Sequence, residues 1–156
     1  MSVFRSEEHG FAIELPPGSQ VDDAVPGTAM VAVDSGVEDG FRTNLVVTVD
    51  RVPEDTTSGA FTDASLAAME TSLRSFVLLD RAEAGVADGP ATRTLVHHDH
   101  GGWSVTLEQW RAVAGSRGLT LSASAATLDY PDVAPALAAA AESLTLGRPT
   151  SPPPDR

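Results

Sequence analysis

At 156 residues, 42% hydrophobic and 21% charged, the chain has the size and make-up of one globular domain able to bury its own core. Its 22 acidic residues against 10 basic ones give a formal charge of −12, which argues against nucleic acid and against an anionic membrane surface as partners. It contains no cysteine, which removes disulfides, thiolate metal sites and a cysteine nucleophile together.

The opening, Met1 to His9, is a polar lead-in without the basic-then-apolar pattern of a secretory signal. No apolar run reaches membrane-spanning length either, so a cytoplasmic protein is expected. Phe11-Ala12-Ile13-Glu14-Leu15 alternates and stops at Pro16-Pro17-Gly18, which predicts a short half-buried strand. Val21 to Gly27 is acidic and turn-rich, and Met30 to Val33 is the next strand. Leu45 to Val52 carries β-branched residues in both phases, as a strand covered on both faces does, and is placed inside the sheet. After a polar loop from Pro53 to Gly59, Thr62 is expected to cap a helix whose stripe is Leu66, Met69, Leu73 and Phe76. Phe76 to Leu79 then reads as extended, and Glu83 to Gly89 as a turn.

Pro90 to Leu128 carries the clearest pattern, three alternating runs joined by Gly101-Gly102 and by Gly115-Ser116-Arg117-Gly118. Glycine supplies the positive backbone angles that tight hairpins need, so three antiparallel strands are predicted. Trp103, Val105 and Leu107 share one face of the second strand and Trp110 falls on the other. That phase requires either a bulge near Glu108-Gln109 or a sheet covered on both sides. The third strand sets Thr120, Ser122, Ser124 and Ala126 on one face, small enough to seat a helix closely. The last helix is the expected occupant, with Asp129 as cap, Pro131 and Asp132 in its first turn and an Ala-rich body to Leu144. The domain is therefore drawn over residues 1–146, and the Pro-rich residues 147–156 are expected to be a disordered tail or tether.

Several of these segments together resemble the PsbP-like superfamily. Phe11 to Gly18 is similar to its opening hairpin, and Phe41-Arg42-Thr43-Asn44 with Leu45 to Val49 to the strand before its first helix. Gly89-Pro90-Ala91 and the Ser143-Leu144 ending fit as well, with Ser19 standing where an aromatic often follows the Pro-Gly turn. The bacterial members include LpqN/LpqT-type lipoproteins, whose acylated cysteine has no counterpart here, and Eag-type effector chaperones. The resemblance implies an α+β fold, a twisted antiparallel sheet of about six to seven strands with helices packed on it as an α/β/α sandwich. It also implies a non-enzymatic role in binding another protein.

For chemistry, His97-His98-Asp99-His100 is the first candidate, since imidazole and carboxylate ligate metals. On a continuous strand His98 and His100 share one face and His97 and Asp99 the other, with His9 as a distant third ligand; the competing reading is a polar strand end meeting solvent. No Gly-x-Ser-x-Gly elbow, phosphate loop or dinucleotide fingerprint occurs, so no cofactor is expected and Ser104 reads as an ordinary strand serine. The pairs Asp22-Asp23 and Glu38-Asp39 read as solvated loop charge. Trp103 and Trp110 are candidate anchors for a protein partner, weighed against core packing on opposite faces. Arg42 is a further contact candidate, and Asn44 is expected to bond nearby loop backbone. The leading expectation is a protein-binding or adaptor module such as a secretion-associated chaperone, whose partner is basic or exposes an apolar element. Its rivals are a metal-dependent or small-ligand enzyme built on His97, His98 and His100, and a structural component held by its tail.

Overall fold

The computed structural model describes residues 2–36 and 40–155, so the Glu38-Asp39 pair lies outside the described residues. In chain order the elements are β1 (Ser2–Ser6), β2 (Phe11–Leu15), β3 (Ser19–Asp22), β4 (Met30–Asp34), β5 (Asn44–Arg51), α1 (Ser58–Ser72), β6 (Arg74–Val86), β7 (Gly89–His100), β8 (Trp103–Ala114), β9 (Arg117–Ala126), α2 (Tyr130–Ser143) and β10 (Thr145–Leu146). One sheet has seven antiparallel strands in the order β3-β4-β5-β9-β8-β7-β6, and a smaller one has the order β1-β2-β10. This is the expected α+β architecture, with β5 inside the sheet as its two-phase apolar pattern required.

The three-strand meander is β7, β8 and β9. Its first turn holds Gly101 at φ 56° and Gly102 at φ 82°, two successive left-handed positions that only glycine adopts without strain. Strand β8 then pairs with both neighbours without interruption, so no bulge near Glu108-Gln109 is needed. Trp103 and Trp110, seven residues apart on this uninterrupted strand, leave on opposite faces.

On one face, Met30, Val47, Leu119, Leu121 and Trp110 join β2 and α2 to form the main core, where Ile13, Leu137 and Leu144 are buried. The opposite face, under α1, is mixed: Thr92, Thr94, Gln109, Arg111 and Thr120 are buried there along with Val96, Val105 and Leu107. Helix α2 therefore does not sit on the Thr120-Ser122-Ser124 face as expected. It packs on β2 and β9 over the leucine face, where more apolar area is removed from water. Its first turn does hold Pro131 and Asp132, but Asp129 makes no side-chain cap bond.

Five further readings are corrected. Helix α1 is capped by Thr57, whose side chain accepts from Ala60 N at 3.0 Å; Thr62 is buried inside the helix and donates back to the Ser58 carbonyl at 2.7 Å. The stripe Leu66, Met69, Leu73 and Phe76 is not one helix face: α1 ends at Ser72 with Leu73 as its C-cap, and Phe76 lies in β6. The polar lead-in is strand β1, and part of the Val21 to Gly27 turn region belongs to β3. Finally, β6 runs through the expected turn as far as Val86, pairing with β7 to Gly89 and putting Ala84 and Val86 against the main core.

Beyond β10 the chain turns back along the body. Thr150 N donates to the Glu7 carbonyl at 3.0 Å, Ser151 N to Glu8 at 3.2 Å, and Arg51 N to Pro154 at 3.1 Å. Arg117 ties the two sheets together, donating to the carbonyls of His9, Gly10 (3.1 Å) and Gly147 (2.7 Å).

Candidate functional site

Two turns meet at one pole of the large sheet, the β7–β8 turn and the turn between β9 and α2. Thr127 N donates to the Ser104 carbonyl at 2.9 Å, Thr106 Oγ1 lies 3.1 Å from Thr127 Oγ1, and Asp129 N donates to Ala126 at 2.9 Å. These bonds fix the second turn against the start of β8, and between them Leu128 projects outward, 93% exposed. Trp103, the residue before Ser104, is 45% exposed, with its ring edge over Gly40, where a Cβ would come within 3.3 Å of Cη2. Arg42 is exposed nearby in sequence, and its carbonyl accepts from Asn44 Nδ2 at 3.0 Å, the loop bond expected of Asn44.

Trp110, the other proposed anchor, is 4% exposed in the main core and has no surface to offer a partner. The histidines divide as strand geometry requires. His97 shares a face with Asp99, their closest polar atoms 3.9 Å apart, and His98 and His100 take the other face. His98 is buried, which pushes its imidazole below the ordinary value, and the neighbouring His100 and His97 add to the shift. His100 is exposed at the turn. His9 bonds Arg117 through its carbonyl, at the end of β9 away from this pole. Among the described residues no group of three His, Asp or Glu is placed to hold a metal ion. An enzyme using all three histidines requires them to converge, and β7 sends His97 away from the other two.

Two buried polar clusters flank β8 that its sequence does not single out. On the α2 side Glu108 is buried, accepts from Arg93 Nε and also takes the Tyr130 hydroxyl at 3.0 Å, while Arg93 Nη1 reaches Asp80 at 3.1 Å. Burial and the Glu108 carboxylate push the Tyr130 phenol up. On the α1 side Arg111 is 1% exposed and donates to Thr94 Oγ1 at 3.2 Å and Gln109 Oε1 at 2.6 Å, while Gln109 Nε2 donates to Ser122 at 2.9 Å. Polar residues in both phases of β8, under two covered faces, were the available signal. A cleft of about 90 Å³ opens between the β3–β4 hairpin and α2, lined by Pro16, Ala32, Leu45, Val133 and Leu137 among others. It has room for an apolar side chain, well short of the roughly 300–1,000 Å³ of ligand pockets.

No family model and no curated protein matches the chain. Solved structures do. LpqN of Mycobacterium tuberculosis, described as involved in cell envelope biogenesis, is similar with a TM-score of 0.68 at 13% identity, covering 88% of this chain and 83% of that one. Cyanobacterial PsbP from Synechocystis is similar with a TM-score of 0.69 at 19% identity, over 93% and 91% of the two chains. The fold is PsbP-like. A Pseudomonas aeruginosa protein of unknown function also shares this PsbP-like fold, with a TM-score of 0.66 at 18% identity over 96% and 99%.

Proposed function

We propose that this PsbP-like chain is a non-catalytic protein-binding module that grips an apolar segment of a partner at the Trp103–Leu128 pole. The carrying observation is that two large apolar side chains stand exposed on separate turns that hydrogen bonds hold together. Covering two large apolar side chains with a partner removes apolar area from water, and tryptophan is among the residues enriched at interface hot spots. The charge of −12 favours a segment flanked by basic residues. A secretion-associated chaperone is the finer form of this reading. It is supported only by the kinship of fold and by the suitability of such a surface for shielding an apolar segment.

The test is capture from the native host with the intact chain and with Trp103→Ala/Leu128→Ser. Both side chains are exposed, so the variant should melt with the parent while the captured partner falls by about tenfold or more. The same partner recovered equally by both proteins overturns the assignment of this pole.

A further inference from the structure

Strand β6 is the outer strand of the large sheet, and among the described residues no strand pairs with its free edge. Along it Val77, Leu78 and Leu79 are exposed in succession, at 49%, 42% and 55%. An apolar strand edge with unpaired backbone groups is a template for another strand.

What fits there follows from the irregularities of β6. Its pairing with β7 slips once between Arg74 and Val77, where Ser75 takes φ 57°, and again between Leu78 and Asp80. Arg74 pairs with Asp99, Val77 with His97 and Asp80 with Leu95, and those three β7 positions lie on one face. Arg74, Val77 and Asp80 therefore share a face although each is three residues from the next. Phe76 and Leu78 lie on the other, where both line the groove beside α1 with Leu66. The strand is symmetric about Val77, with apolar side chains one residue away on either side and opposite charges three residues away.

We infer that β6 is a homodimer edge, at which two copies pair antiparallel about a two-fold axis through Val77. That register sets Phe76 against the second copy's Leu78, and Arg74 against its Asp80, each twice. Opposed residues in an antiparallel pair share a face, and both contacts obey this. Moving the axis half a residue towards the C-terminus sets Arg74 against Arg81, and moving it one residue sets Phe76 against Asp80. Asp80 retains room for a second cation, being 57% exposed while bound to Arg93, and Arg74 makes no ion pair within the described residues. The two slips confine good pairing to the middle of the strand, so the dimer is reversible.

Sedimentation velocity on the purified full chain, without any partner, tests this independently of the Trp103 pole. The expected result is a shift from monomer to dimer mass between low micromolar and several hundred micromolar concentration. Val77→Lys sets two like charges on the axis and should weaken association by about tenfold or more. Arg74→Asp and Asp80→Arg should each do the same, and the exchange variant carrying both should recover the dimer; circular dichroism confirms that each is folded. A monomer throughout overturns the inference, as does a dimer indifferent to Val77→Lys or one that the charge exchange fails to restore.

Discussion

Arg111 and Arg117 are both buried, at 1% and 6% exposure, and neither forms an ion pair among the described residues. Removing them should nevertheless have opposite effects. Arg117 donates to three backbone carbonyls from the β1–β2 turn and the end of β10; Gly10 O also accepts from Gly147 N at 2.7 Å, so the carbonyls of His9 and Gly147 are the two that depend on Arg117. Arg117→Met should cost about 2–4 kcal/mol, because carbonyls left without a donor lose water as well as their partner. Arg111 has two neutral acceptors, and burial together with the nearby charge of Arg81 draws its pKa down to about 10. At neutral pH it is charged in the folded and unfolded states alike, so its desolvation penalty is fully in force there. Arg111→Met keeps the volume and removes that charge, leaving only Gln109 Oε1 and Thr94 Oγ1 short of a donor. It should stabilise the fold by about 1–2 kcal/mol. Urea midpoints of the two variants decide the matter, and two losses of equal size would show that Arg111 is compensated by something its two hydrogen bonds do not describe.

Among the elements, the sequence disclosed most where alternation and glycine turns act locally. The β7–β9 meander, the interior position of β5 and the existence of both helices follow from patterns a few residues long. The β6 edge escaped, since from Arg74 to Glu83 every residue but the half-buried Phe76 is exposed and burial imposes no alternation there. The seat of α2 was misread because the small face of β9 suggested room, whereas Gln109 and Arg111 already fill that side. At the Trp103–Leu128 pole, the sequence raised Trp103 and Trp110 alike as candidates, and nothing local told the exposed ring from the buried one. Leu128 was not singled out at all, because a leucine beside a strand end reads as core until the turn bonds are seen. One contact shows how the α1 layer is keyed to the sheet. A Cβ at Gly118 would meet Phe61 Cζ at 2.8 Å and Val52 Cγ1 at 3.1 Å, so the helix sits at a distance only glycine permits. Gly118→Ala should cost about 1–3 kcal/mol through overpacking. The cost should shrink by at least about half in a Phe61→Leu background, since neighbouring changes that share one contact do not add. A thermal-denaturation cycle measures this, and full additivity would place the strain elsewhere.

On the scale of the whole molecule, the charge of −12 opposes any association of the chain with itself. Two such bodies about 35 Å apart repel by about 17 kcal/mol in water without salt, more than a short paired strand supplies. Screening changes that balance. At about 0.01 M salt the screening length is roughly 30 Å and leaves about a third of the repulsion, whereas at about 0.15 M it is roughly 8 Å and leaves about one per cent. The exposed Arg74–Asp80 contacts across the β6 edge also weaken with salt, but each contributes only about 1 kcal/mol or less. Repulsion therefore dominates, and the homodimer should tighten at least about tenfold over that range of salt. Capture of a basic-flanked segment at the Trp103 pole rests on attraction between opposite charges and should loosen over the same range. Measuring both on one preparation, by sedimentation for the dimer and by titration with the captured partner's segment, sets the two surfaces apart. A homodimer that dissociates as salt is added would mean that local ion pairs outweigh the net charge, contrary to the magnitudes above.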